Sequence, residues 1–294
     1  MNHKHTFNTV GLLGKPNNPE VAETATTLFE HLKTRVDKVI VEELIAMEMS
    51  DAPDNVVTRE QLAEQSDLVI VVGGDGSMLN AGRLLVNYDV PVLGINRGYL
   101  GFLTDISPKN MLDRVDDVLA GNYIEEHRTL LFAGVFRDGK QLEESEALND
   151  IVLYPGEIAK MLEFEVYIDE QFAFSQRSDG IIVSTPTGST AYALSGGGPI
   201  MHPSIDALVL VPMHPHTLSM RPIVVNVESF IDIVVAETNK HHPQVSCDGQ
   251  LIIPVEPGDR ISIRKKKRHL WLLHPSDYDY YHVLRTKLGW GTKL

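Results

Sequence analysis

A single cysteine, Cys247, stands in 294 residues, which excludes an intrachain disulfide and fits a reducing cytosol. No uninterrupted apolar run reaches the roughly 18 residues of a membrane span. The start, Met1 to Asn8, is polar and has no signal-peptide core. Positive charge is in deficit, with 26 Lys and Arg against 40 Asp and Glu, for a formal net charge of −14. Nucleic acid and anionic membranes repel such a chain, so neither is expected as a partner. The twelve histidines show no metal-ligand spacing, since His214-Pro215-His216 and His241-His242 are too few and too proline-bound for zinc. Internal repeats and low-complexity segments are also missing. What these absences leave is a soluble, cytoplasmic protein, whose 43% apolar share suits a full core.

What is present is organised around Leu68-Val69-Ile70-Val71-Val72-Gly73-Gly74-Asp75-Gly76-Ser77-Met78-Leu79. Its opening apolar run, mostly β-branched, predicts a strand buried on both faces. Gly73, Gly74 and Gly76 let the backbone turn tightly and approach a ligand. At Gly74 a Cβ would block that approach, and a positive φ is expected there. Met78, Ala81, Gly82, Leu85 and Val86 then recur at the spacing of an amphipathic helix. Strand, glycine turn and helix present N–H groups and a positive helix end to an anion, marking the three glycines as phosphate contacts. Asp75 is the one carboxylate in the turn. Beside phosphate it is unfavourable unless it accepts a proton or holds a metal, and the residues alone leave both roles open.

Around this stretch, strands are predicted at 10–14, 38–41 and 90–95, and helices at 19–35, 59–65 and from the Ser107-Pro108 pair to about Ala120. This alternation implies a parallel sheet covered on both faces. Past Asn122 the period changes. Leu162, Phe164, Val166 and Ile168 alternate with Glu163, Glu165, Tyr167 and Asp169, and β-type runs follow at 180–184, 208–211, 223–227, 231–235, 251–255, 260–264 and 270–273. The predicted organisation is an α/β nucleotide-binding domain with a parallel sheet over 1–122, an all-β domain over 123–276, and a tail over 277–294 packing back on the first domain.

Two further stretches carry chemistry. Gly94 to Asp105 also follows a predicted strand, so it is expected at the same carboxyl edge, where open α/β sheets bind ligands. Asn96 and Arg97 are therefore candidate phosphate contacts, Arg97 through a bidentate guanidinium; a glycine-rich turn with a surface Arg is the alternative. Arg177 to Pro199 places small hydroxyl residues and glycines after a buried strand, with Tyr192 as a stacking surface. It either cradles a nucleotide or forms a mobile loop.

Gly73-Gly74-Asp75-Gly76, the stretch Gly94 to Asp105, Asn149-Asp150, Arg177 to Pro199, Pro215 to Pro222 and Ser246 to Gln250 together resemble the NAD kinase family closely, in family order and over most of the chain. The first motif is shared with diacylglycerol kinases, whereas the long central run is highly specific. The resemblance implies transfer of the ATP γ-phosphate to the 2′-hydroxyl of the adenosine ribose of NAD, giving NADP. It also implies a divalent metal, usually Mg²⁺, with no ligand residue identified, and a homodimer or homotetramer. It further implies that the all-β domain binds NAD, with the active site between the domains. By position, the resemblance makes Asp75 the proton acceptor and, with Gly76, an NAD contact. Asn149 and Asp150 match an Asn-acidic pair for the adenosine, with Asp150 where many members have Glu. Arg177, Asp179, Thr187, Thr190, Ala191, Tyr192, Ala193, Leu194, Ser195 and Gln250 match further NAD contacts. Lys160 falls where some members have His.

Competing readings are weaker on specific residues. Gly14-Lys15-Pro16 fails as a nucleotide loop, because Gly11 and Gly14 are too close and Pro16 stands where Ser or Thr would bind magnesium. The run Arg264 to Arg268 reads as a solvated hairpin between two strands, His216 as a structural hydrogen-bonding residue, and Cys247 as passive for want of an adjacent base. A dinucleotide oxidoreductase would need a third glycine where Leu79 stands. A non-catalytic nucleotide sensor would leave Asp75 in the phosphate loop without work.

Overall fold

The computed structural model describes residues 7–50, 53–98, 101–157 and 160–290. Tyr99-Leu100 of the second glycine stretch and the last four residues of the tail lie outside the described residues. Two units emerge, one formed by Met1–His127 with Leu270–Leu294 and the other by Arg128–His269.

In the first unit the chain runs β1 (Thr9–Gly14), α1 (Pro19–Leu32), β2 (Lys38–Glu42), α2 (Glu43–Ala46), β3 (Val56–Val57), α3 (Arg59–Gln65), β4 (Leu68–Gly73), α4 (Asp75–Leu85), β5 (Val92–Asn96) and α5 (Met111–Leu119). The strands are parallel in the order β5-β4-β1-β2-β3. Every residue of β4 is buried, which explains its unbroken apolar run: helices need apolar surface on both faces of a parallel sheet. Asn18 caps α1 by accepting from the Glu20 and Val21 N–H groups, with Pro19 in the first turn. Leu28, Phe29 and Leu32 of α1 join Leu12, Ile70 and Leu93 in one core. The helix expected from Ser107-Pro108 begins instead at Met111. Residues 107–110 form a turn closed by the Asn110 N–H on the Ser107 carbonyl, so the Ser-Pro pair starts that turn rather than the helix.

The second unit is built from β6 (Tyr123–Arg137), β7 (Lys140–Ala147), β8 (Asp150–Tyr154), β9 (Leu162–Ile168), β10 (Gln171–Ser178), β11 (Gly180–Ser184), the short α6 (Tyr192–Ser195), β12 (Ala207–Met213), β13 (Ile223–Asn226), β14 (Ile231–Val235), β15 (Gln244–Cys247), β16 (Leu251–Pro254) and β17 (Arg260–Pro275). Its strands pair mainly antiparallel, among them β6 with β7, β9 with β10 and β14, and β8 with β11 and β15. One sheet has β10-β9-β14-β17 with β6 and β7 beyond; the other has β13-β12-β11-β8-β15-β16. Phe164, Ile231 and Val135 from the first sheet meet Leu153, Val183 and Cys247 from the second in a shared core.

The basic run corrects an expectation. Arg264 to Arg268 is not a hairpin but the middle of the continuous strand β17. It contains no turn residue, and its charges find partners along the strand: Lys265 Nζ lies 2.6 Å from Glu228, Lys266 pairs with Glu146, and the Arg264 guanidinium lies 4.8 Å over the Phe132 ring. The chain returns to the first unit within β17, where Leu272 and Leu273 pair in parallel with Val92 and Leu93. Helix α7 (Tyr280–Leu288) follows, capped by Asp279 and closed by Gly289 in a left-handed conformation. Within that unit the Tyr280 ring meets Phe102, and Arg114 pairs with Asp277 at 2.5 Å. No helix among the described residues is long and apolar enough to cross a membrane.

Candidate functional site

At the carboxyl end of β4, Gly73 pairs with Asn96 of β5, and the Arg97 N–H donates to the Gly73 carbonyl at 2.9 Å. Both glycine stretches therefore share one sheet edge. Gly73 adopts φ +158°, and a Cβ there would sit 2.3 Å from Ser77 Oγ. Gly74 has φ −103°, and among the described residues no atom lies within 4 Å of the position a Cβ would take. The positive φ expected at Gly74 is thus found one residue earlier, where the strand leaves the sheet. Gly74 also brings no side chain to cap α4, which leaves the positive helix end as an anion site.

Asp75 is the first residue of α4, and both of its carboxylate oxygens are held. The Phe102 N–H donates to Oδ2 at 2.8 Å, while the Leu103 N–H at 3.1 Å and the Thr104 hydroxyl at 3.2 Å donate to Oδ1. Gly101 must be glycine, because a Cβ would fall 1.9 Å from Oδ1. Asn96, 4% exposed, fixes Thr104 in turn by donating from Nδ2 to its carbonyl at 3.0 Å and its hydroxyl at 3.1 Å. Arg97 is turned toward α1, donating from Nε to the Glu20 carbonyl at 2.8 Å with Glu23 at 3.5 Å. The carboxylate is oriented, and Oδ2 keeps acceptor capacity beyond its single bond. Such a group can orient a hydroxyl and take its proton.

In the second unit a cavity of about 560 Å³ opens beside β8, β12, β15 and β16, the size of a small-molecule site. Of the residues expected to contact NAD, it brings together Asn149, Asp150, Lys160, Asp179, Ala191 and Tyr192. Tyr192 is 47% exposed, as a stacking surface must be. Asp150 is only 4% exposed; burial, and then the neighbouring Asp248 carboxylate, push its pKa up to about 7. The hydroxyl loop packs directly on Asn149. Gly188 has no room for a Cβ, which would meet the Asn149 carbonyl at 2.2 Å, and the Thr185 hydroxyl donates to the Leu148 carbonyl at 2.6 Å.

The remaining expected contacts do not line this cavity. Arg177 is exposed, 3.8 Å from Glu163. Thr187 is buried and accepts from Arg128 at 3.3 Å, and the Thr190 hydroxyl donates to the Thr187 carbonyl. Ala193 turns its side chain into a small core with Ile182 and Val209, leaving only its backbone for a ligand. Leu194 is half-buried, and Ser195 and Gln250 are exposed. Asp75 and Gly76 belong to the first unit. The His216 side chain is exposed, and the structural bond expected of it is made by its backbone N–H to the Arg177 carbonyl.

Sequence reasoning passed over Asp248. Its carboxylate accepts from the Leu148, Asn149 and Asp150 N–H groups at 3.0, 2.7 and 3.3 Å, so it sets the loop that presents the Asn-acidic pair. The signal was Asp248-Gly249 between two apolar runs, a hairpin turn with both residues at positive φ.

Comparison with known proteins bears on this pair of sites. Residues 10–123 match the model of the ATP-NAD kinase N-terminal domain, and residues 148–274 match that of the ATP-NAD kinase C-terminal domain. The NAD kinase of Aeromonas salmonicida is 54% identical over 289 residues, covering 98% of both chains. That of Chromohalobacter salexigens is 52% identical over 288 residues with the same coverage. Among solved structures, yeast NADH kinase complexed with NADH is 26% identical with a TM-score of 0.87, over 99% of this chain and 90% of that one. An NAD kinase from Archaeoglobus fulgidus in complex with ATP is 24% identical with a TM-score of 0.69, over 96% and 97%, and shares the fold.

Proposed function

Because the chain belongs to the NAD kinase family, we propose that it transfers the γ-phosphate of ATP to the 2′-hydroxyl of the adenosine ribose of NAD. ATP-dependent phosphorylation of NAD is the family's reaction; the acceptor hydroxyl and the residue roles are our reading. Asp75 orients the hydroxyl and takes its proton as the oxygen bonds to the γ-phosphorus and the bond to the β,γ-bridging oxygen breaks, releasing ADP. Phosphoryl transfer needs positioning and charge neutralisation more than covalent help. One observation carries this reading: a single carboxylate fixed by three hydrogen bonds at the uncapped start of α4, directly after a glycine turn. Gly73, Gly74 and Gly76 are the proposed phosphate contacts, joined by Asn96 and Arg97 only if their side chains leave Thr104 and Glu20 when the nucleotide binds. The cavity with Asn149, Asp150 and Tyr192 is the proposed adenosine pocket.

A metal fits in a limited way. Among the described residues no group of three or more His, Cys, Asp or Glu converges on an ion site. Mg²⁺ keeps several waters and is bound by one or two carboxylates plus substrate phosphates, so it would arrive on the triphosphate, with Asp75 as its protein ligand if it has one here. Its chemistry would be to neutralise charge on the phosphates. A homodimer or homotetramer in the cytoplasm completes the proposal, and light scattering distinguishes the two assemblies.

Incubation with ATP, Mg²⁺ and NAD should yield NADP. An NAD analogue carrying 2′-deoxyadenosine should bind yet accept no phosphate; normal turnover of that analogue would move the acceptor elsewhere.

A further inference from the structure

The turn that holds Asp75 is itself held from the far side. Asp105 follows Thr104 directly, and its buried carboxylate places Oδ2 at 3.1 Å from His274 Nδ1. The other oxygen, Oδ1, is buried without a hydrogen-bond partner among the described residues. The His274 ring, 1% exposed, places Nε2 at 3.1 Å from Glu126 and stacks on Tyr278 with 3.9 Å between ring centroids and 13° between planes. An imidazole with a carboxylate oxygen at 3.1 Å from each nitrogen ties Asp105 to Glu126 through the ring. None of these groups is accounted for by the proposed binding or proton transfer.

We propose that His274 is a positioning residue for phosphoryl transfer: through Asp105 it holds the 101–104 turn, and so the donors that orient Asp75. This rests on the reading of Asp75 as proton acceptor. A buried carboxylate stripped of its hydrogen-bond partner costs more than a shift of irregular backbone, so without His274 the Asp105 side chain turns toward water. Thr104 is its chain neighbour and the source of one Asp75 bond, with Phe102 and Leu103 supplying the others. Ile106 on the other side is tied to the sheet, its carbonyl accepting from the Asn96 N–H at 2.8 Å. Movement at Asp105 is therefore passed to Thr104, against its two bonds from Asn96 Nδ2, and on to the 102–103 side. Small displacements of a reacting group are expensive in rate.

A merely structural role, anchoring the chain ahead of α7, predicts lost stability and equal loss of activity in any background. The test uses the full chain with His274→Gln and Asp105→Ala, each alone and combined with Asp75→Asn, assayed with ATP, Mg²⁺ and NAD. Each change alone should lower kcat about tenfold to a hundredfold, with KM for NAD and ATP within about threefold. In the Asp75→Asn background the same change should cost less than about twofold, because it acts through a group already disabled. Equal losses in both backgrounds, or a folded variant with unchanged kcat, would overturn the inference. Asp105→Ala removes the tie and leaves the buried ring its contact with Glu126, so it decides the matter should His274→Gln fail to fold. If Asp75→Asn alone keeps full activity, the reading of Asp75 falls first and the role of His274 falls with it.

Discussion

The glycine turn of the first unit and the cavity of the second are each built around a carboxylate that accepts three hydrogen bonds from a distant stretch of its own unit. Asp75 takes two backbone N–H groups and a hydroxyl from residues 102–104. Asp248 takes three backbone N–H groups from residues 148–150. The bonds are alike and the consequences are opposite. Asp75 starts a helix, and the turn around it fixes the carboxylate itself. Asp248 sits in a tight hairpin at φ +54°, and what it fixes is the loop, with Asn149 and Asp150 facing the cavity. One carboxylate is the positioned group and the other is the positioner. Substitution should therefore be read at Asp75 in the rate of the chemical step, and at Asp248 in binding.

The largest effect is expected at Asp75. Asp75→Asn keeps the shape, removes basicity and turns an amide NH₂ on at least one of the three donors, and should lower kcat by about 10²–10⁴, with NAD affinity within about tenfold. Recovery of the rate in excess Mg²⁺ would make Asp75 a metal ligand rather than a base; an unchanged kcat would remove the proposed mechanism. At Asp248 the same change leaves one acceptor oxygen for three donors and turns an amide NH₂ on the rest. KM for NAD should rise about tenfold with kcat within about threefold, as steady-state kinetics can show. A fall in kcat matching that of Asp75→Asn would break the distinction between the two carboxylates.

The two neighbouring glycines sharpen the comparison at smaller cost. Gly73→Ala collides with Ser77 and should destabilise the protein by roughly 1–3 kcal/mol. Gly74→Val meets no atom of the described residues within 4 Å of its Cβ, so it should melt with the wild type while raising KM for ATP severalfold. An unchanged KM for ATP would place the donor phosphates elsewhere.

How much of this could be read in advance follows from the range of each interaction. β4 and its glycine turn were legible because a strand buried on both faces has to be apolar throughout, and the turn is local. β7 was not legible. It lies at a sheet edge, paired only with β6, and Lys140 to Glu144 are exposed, so no alternation marks it. The basic run was misread because charges along a strand look solvated until Glu146 and Glu228 are brought beside them. In the site, Asp75 stood out as an acid among glycines. Its donors lie 27 to 29 residues away and those of Asp248 about a hundred, and no local pattern announces such pairs.

At Asp150 the effect is expected on stability and not on turnover, and its sign follows from burial. Its carboxyl rises from 3.8 to about 7 in the folded protein, burial being the larger cause and Asp248 the second. Folding therefore disfavours the ionised form. Between about pH 4 and pH 7 the unfolded chain has released this proton while the folded protein keeps it, so this group's contribution to stability falls as pH rises through that window and is level above it. Asn at this position has the shape of the neutral acid and no charge to bury. Asp150→Asn should accordingly melt higher than the wild type at pH 8, by on the order of 5 °C. That advantage should shrink steadily on titration toward pH 4. Melting curves of both proteins without nucleotide, taken from pH 4 to pH 8, check this. A constant difference across the range would mean that Asp150 is ionised in the folded protein throughout, and that the loop fixed by Asp248 presents a charge, rather than a proton donor, to the cavity.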